Sequence, residues 1–184
     1  QISTKALPPA AADHSLAEGE TTLYINFIKR INIIMKAILQ RCLDASVEVD
    51  GKVVGSAKSG LLVLLGVAKG DTETDAKLLA DKISKLRIFD DADGRLNLSV
   101  KDVGGSVLVI SNFTLLADYR KGNRPDYFGA ESPDEANRLY KYFAEYMRSL
   151  GIHTETGSFG AEMKVSLIND GPVTIEMDSS ILKK

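Results

Sequence analysis

Residues 60–67, GLLVLLGV, contain no polar side chain, and this run constrains the fold more than any other feature of the chain. Successive apolar residues over so short a stretch suit a buried strand covered on both faces. The flanking segments extend the pattern. Residues 36–49 have β character and end in Asp50-Gly51, a tight hairpin signal leading into residues 52–57. Asp71 can cap a helix over residues 72–89, with Ala76, Leu79, Ile83 and Leu86 on one face. A turn at 91–94 follows, and residues 106–116, SVLVISNFTLL, read as a strand leading out of the core into a polar loop at 117–131. Ser132-Pro133-Asp134-Glu135 is a helix start; Leu139, Tyr140, Phe143 and Met147 form its buried face, and Gly151 ends it. Three short β segments, 152–156, 162–168 and 173–177, close the chain. Groups of strands with two helices inserted between them predict an α+β single domain rather than a doubly wound sheet.

The first 34 of the 184 residues differ from the rest. Residues 1–20 are rich in Ala and Pro without an apolar period. Residues 23–34 are apolar and β-prone, but too short to span a bilayer and broken by Asn26, Lys29, Arg30 and Asn32. The charges fall inside or after the apolar part, which argues against a signal peptide, and Met35 resembles an ordinary protein start. Residues 1–34 are therefore expected to be an extension outside the functional domain, which is taken as 35–180. Cys42 is the single cysteine, and neither it nor His14 or His153 stands in a zinc-ligand spacing, so the expectation is an intracellular, metal-free protein. With 23 Lys and Arg against 25 Asp and Glu, the net charge of −2 argues against a protein that coats nucleic acid; any nucleic-acid partner must be met locally.

No GxGxxG, GxxxxGK[ST], GxSxG or HExxH is present. His153, in the polar stretch HTET, reads as a surface residue, and Cys42 as a small buried apolar side chain. Two places are less easily explained by packing. At Ser111-Asn112-Phe113-Thr114-Leu115 an apolar strand changes abruptly to hydroxyl and amide side chains; such a strand end either satisfies its own backbone or grips a polar ligand as an oxyanion hole. At Asn169-Asp170-Gly171-Pro172-Val173-Thr174 a Gly-Pro pair lies between two strands, either as a simple turn or as a place for a cis bond.

Taken together, SNFTL and NDGPVT, about 55 residues apart, resemble the paired signatures of the D-aminoacyl-tRNA deacylases. The resemblance spans residues 35–178 and includes MKAILQR, GLLVLLGV, KLRIFDD, the RP of GNRPDYF, SPDEA and TGSFGAEMKVSLINDGPVT; residues 1–34 have no counterpart. It implies a cytoplasmic homodimer with a mixed, barrel-like sheet flanked by two helices. It also implies hydrolysis of the ester between a D-amino acid and the terminal adenosine of tRNA, without metal or cofactor. Carried over by position, Ser111, Asn112, Phe113 and Thr114 line the pocket. Gly171-Pro172, with its bond cis, enters the partner's pocket as a filter against L-amino acids, and Phe159 and Met163 lie near the terminal adenine.

The physics of chiral selection agrees with that implication. Both hands of an amino acid carry the same groups, so a rigid obstacle where the L side chain must go discriminates better than added attraction. Such an obstacle would let achiral glycine through. An aminoacyl ester is already activated, so positioning a water and stabilising the oxyanion can suffice. The Thr114 hydroxyl, with the N–H groups of Phe113 and Thr114, is expected to act there. Thr114 is not expected to be a nucleophile, since no base is identifiable to activate it.

Two residues depart from the family pattern: Asn112 stands where Gln is usual, and Glu131 precedes Ser132-Pro133 where a small residue is usual. Two further readings remain: a non-catalytic module that binds the tRNA acceptor end, and a small-molecule esterase, which the missing nucleophile and base disfavour. Lys101, Arg120, Lys121 and Arg124 offer a modest phosphate site or a solvated surface.

Overall fold

The computed structural model describes residues 34–183; the expectations for residues 1–33, including His14, lie outside the described residues. Five strands form one mixed sheet in the order β6-β5-β2-β1-β7, with β1 (Lys36–Val49), β2 (Lys52–Gly66), β5 (Ser106–Ser111), β6 (His153–Thr156) and β7 (Lys164–Asp178). Two short strands, β3 (Phe89–Asp90) and β4 (Leu96–Leu98), pair separately. The β1–β2 hairpin turns at Asp50-Gly51, where both residues adopt positive φ, the backbone that this tight turn requires. β7 adds antiparallel to β1, while β5 and β6 add in parallel on the other side.

The apolar run in β2 supplies both faces of the sheet. Leu61, Val63 and Leu65 join the main core with α1 (Glu73–Lys85) and α2 (Pro133–Ser149), whereas Leu62 packs on the far face with Cys42, Ala45, Val47, Leu108 and Ile110. α2 buries Leu139, Tyr140, Phe143 and Met147, the predicted face. Among the described residues no helix is long and apolar enough to cross a membrane.

Four local expectations are corrected. The N-cap of α1 is Thr72; its N–H and hydroxyl both donate to Asp75, at 3.0 and 2.9 Å. Asp71 lies outside the helix and accepts the N–H groups of Met35 (3.0 Å) and Ala68 (2.6 Å), tying the head of β1 to the end of β2. α1 stops at Lys85, short of residue 89, because Ile88 and Phe89 are drawn under Arg41, which binds the Ile88 carbonyl at 2.8 Å and lies over the Phe89 ring. β5 ends at Ser111, and Phe113–Leu116 form a 3-10 turn capped by Asn112. Finally, the predicted strands 162–168 and 173–177 are one strand, β7, interrupted only in its pairing. Asn169 faces Cys42 and Thr174 faces Gln40, so residues 170–173 bulge out opposite the single residue Arg41.

Candidate active site

The parallel strands β2 and β5 end side by side, and the chain leaving each makes one wall of a cavity of about 480 Å³. Ser111, Asn112 and Phe113 form the floor; Val67, Tyr127, Ala130 and Glu131 form one side, and Pro133 and Ala136 at the start of α2 another. Phe159 and Met163 close the cavity from the segment between β6 and β7. The lining is mainly aromatic and aliphatic. Phe113 packs edge-on against Tyr127 at 5.0 Å, and Phe159 is held against Tyr140 at 5.9 Å. Tyr140 is itself fixed by donating to the Val109 carbonyl at 2.8 Å, and its burial pushes the phenol up to about 12. Gly157 permits the closure at Met163, since a Cβ there would stand 2.7 Å from the Met163 sulfur. A cavity of this size with an aromatic lining suits a flat ring system such as a nucleobase with its sugar.

The polar groups cluster at the floor. The Asn112 carboxamide oxygen accepts both the N–H of Thr114, at 3.2 Å, and the Thr114 hydroxyl. This is the locally satisfied arrangement that short Asn side chains make two residues ahead. Of the two N–H groups expected to face an oxyanion, Thr114's donates to Asn112, while Phe113's has no acceptor among the described residues. Thr114 is exposed and does not line the cavity itself; it touches the site through Asn112. Glu131, the second departure from the family pattern, has a backbone task. Its carboxylate accepts the N–H groups of Ser132 (2.7 Å) and Gly70 (3.1 Å), which hold it below its ordinary pKa and pin the start of α2 to the loop after β2.

Gly171 and Pro172 line no part of this cavity. They sit in the β7 bulge, joined by a cis bond, in a tightly tied loop. Asn169 closes the bulge by accepting the Val173 N–H at 3.0 Å. Arg41, nearly buried, holds it from beneath: its Nε lies 3.2 Å from the Asp170 carbonyl and 3.0 Å from the Asp170 carboxylate, and its Nη1 lies 3.3 Å from Asp90. Gly171 has φ +120°, and a Cβ there would meet Val173 at 2.8 Å and Arg41 at 3.2 Å, so only glycine fits without displacement.

The structure thus brings Ser111, Asn112, Phe113, Phe159 and Met163 together, places Thr114 beside them, and sets Gly171-Pro172 apart. Two residues that organise these regions were not singled out in the sequence. Nothing in the local sequence around Arg41 marks it, since its partners Ile88, Asp90 and Asp170 all lie far along the chain. Gln40 bridges the two regions. It donates to Thr174 at 3.5 Å and lines a second cleft, on the far face of the sheet, with Ser111, Asn112 and Met163.

Two of the reactive side chains that sequence reading considered lie away from the cavity. Cys42 is buried and its thiol is pushed up by that burial; His153 is exposed on β6 beside Glu155, and no cluster of metal-ligating side chains occurs among the described residues. The Phe113 N–H at the floor of this nucleoside-sized cavity is of the kind that can stabilise an oxyanion while water attacks an activated carbonyl. Fold and cavity together define a small α+β domain with a nucleoside-sized pocket at one end of its sheet. The chain belongs to the D-Tyr-tRNA(Tyr) deacylase family, whose sequence profile matches residues 38–178. It is 55% identical over 148 residues to a D-aminoacyl-tRNA deacylase of Thermotoga petrophila, covering 80% of this chain and 99% of the relative. It is 56% identical over 145 residues to one of Anaeromyxobacter dehalogenans, covering 79% and 97%. Among solved structures, c-Myc DNA Unwinding Element Binding Protein superposes with a TM-score of 0.73 at 38% identity, covering 78% of this chain and 97% of that one. The chain is accordingly a D-aminoacyl-tRNA deacylase by family, a hydrolase acting on charged tRNA.

Proposed function

We propose that this protein hydrolyses the ester of D-aminoacyl-tRNA in the cytoplasm as a homodimer. In this reading each cavity takes the terminal adenosine of the tRNA, and each Gly171-Pro172 bulge enters the partner's site. The observation that carries the reading is the unengaged Phe113 N–H at the floor of an aromatic, nucleoside-sized cavity. The adenine lies between Phe159 and Met163, the ester carbonyl points at the Phe113 N–H, and Ser111, Asn112 and Thr114 order the attacking water and the ribose hydroxyls. Glycine is held by the same contacts and has no side chain to be rejected, so glycyl-tRNA is also cleared.

The second copy is supported by the far face of the sheet. Leu64, Val165 and Leu167 are incompletely covered there, and Leu43 on β1 is 55% exposed. An uncovered apolar face beside a rigid bulge suits a self-complementary contact. The experiment is release of D-Tyr and of L-Tyr from charged tRNA. The D ester is expected to be cleaved rapidly and the L ester no faster than in buffer; equal cleavage of both, or of neither, contradicts the proposal. Replacing Thr114 by Ala is expected to lower turnover more than it weakens tRNA binding, which separates an enzyme from a module that only binds the acceptor end.

A further inference from the structure

We infer that the loop of residues 117–131 is a stacking platform for the unpaired nucleotides that precede the terminal nucleoside of an RNA 3′ end. This rests on the reading that the cavity holds that nucleoside. The loop carries two of the most exposed aromatic side chains in the described structure, Tyr119 (75%) and Phe128 (80%). Single exposed apolar residues are ordinary, but two aromatics on one loop, next to a cavity already lined by aromatics, are not explained by packing.

The loop is also held in shape. Asp118 and Asp126 exchange backbone hydrogen bonds at 2.9 Å in both directions, and the Phe128 N–H is bound by the Asp126 carboxylate at 3.2 Å. Lys69 donates to the Gly129 carbonyl at 2.9 Å, and Ala130 bridges to Ala68. Tyr127 stands between loop and cavity, lining the cavity and packing on Phe113, so the aromatic surface continues from the interior to the rim.

Charge selects the partner. Asp118 engages Arg120, but neither Lys121 nor Arg124 has a carboxylate partner within 4.0 Å among the described residues. Exposed rings interleaved with unpaired cations match single-stranded nucleic acid, whose bases stack in any sequence and whose phosphates pass beside the cations. A double helix offers no free base faces and is not the partner.

The test uses the double variant Tyr119→Ala/Phe128→Ala in the full chain. Its affinity for a short, labelled oligoribonucleotide ending in CCA is expected to fall about tenfold or more, with Tyr119→Phe/Phe128→Tyr retaining binding. With only two unpaired cations, the wild-type log–log salt slope is expected to be about −1.4 or shallower. In turnover, KM for D-tyrosyl-tRNA rises by a similar factor, whereas KM for D-tyrosyl-adenosine, which ends at the nucleoside, does not follow. Unchanged oligonucleotide affinity overturns the inference. So does an equal loss on D-tyrosyl-adenosine, which would make the loop a support of the cavity, or a changed oligomeric mass, which would assign the aromatics to a subunit contact. Aromatic-dependent binding by a wild-type protein that deacylates nothing would instead uphold the platform and refute the proposed function.

Discussion

The turn at Ser111–Leu116 and the bulge at residues 170–173 are both irregular, tightly tied pieces of backbone at the ends of strand pairing, yet they have opposite surroundings. The turn faces into a cavity of its own chain and keeps one N–H unsatisfied. The bulge is braced from below by Arg41 and Asn169 and lines no part of that cavity. One region lines a cavity and carries no rigid projection into it; the other is a rigid projection that lines no part of that cavity. A pocket that must hold an ester and also reject one hand of it needs both, and the proposed function combines them through a second copy of the chain.

Separate variants can break this division of labour. Phe113→Pro strikes the turn hardest. Proline is tolerated at the first position of a helical turn but carries no N–H, so kcat is expected to fall about 10²–10³-fold, while Phe113→Ala, which keeps the N–H, loses far less. Equal losses in single-turnover assays would mean that the ring, not the N–H, matters. Arg41→Lys strikes the bulge. A lysine cannot satisfy the Ile88 carbonyl, Asp90 and Asp170 together, so stability is expected to fall by about 1–3 kcal/mol in denaturant melts. The D-over-L preference should fall with it; a full preference would detach the bulge from selectivity.

Asn112→Gln is a milder test of the turn. The longer side chain gives up the hydrogen bonds to Thr114, costing about 0.5–1 kcal/mol. The D-over-L preference should not move, since the bulge is untouched. A further effect, on stability alone, lies outside both regions. Burial pushes Asp71 up to about 7, largely against the pull of its two N–H donors. Its folded pKa exceeds the unfolded value of 3.8, so the stability it contributes is fully present below about 4 and is lost as pH rises through about 7. Tm is expected to fall by roughly 5–10 °C between pH 5 and 8 on this account, a slope that Asp71→Asn removes without altering the D-over-L ratio.

Much of this was legible in the sequence where one local pattern sets one local outcome. The β1–β2 hairpin follows from Asp50-Gly51, the buried face of α2 from residues four apart, and the two-faced burial of β2 from its unbroken apolar run. The candidate site was located through paired motifs. Legibility failed where distant residues decide. Nothing near residue 86 ends α1; Arg41, some 45 residues upstream, captures Ile88. β7 reads as two strands because a Gly-Pro pair usually marks a turn, whereas pairing resumes with β1 beyond the bulge. The capture of Thr114 by Asn112 depends on a single methylene, below the resolution of pattern reading.

The central claim, that selectivity is supplied across the subunit boundary, is tested most directly by mixing variants. A Gly171→Ala/Pro172→Ala protein is expected to deacylate D- and L-tyrosyl-tRNA alike, and Phe113→Pro to deacylate neither. Co-expressing the first with an excess of the second leaves active only those turns that face an intact partner bulge. The account predicts that L-ester cleavage falls towards the wild-type level while D-ester cleavage persists. An L-to-D ratio that stays constant as the inactive subunit is added would contradict it.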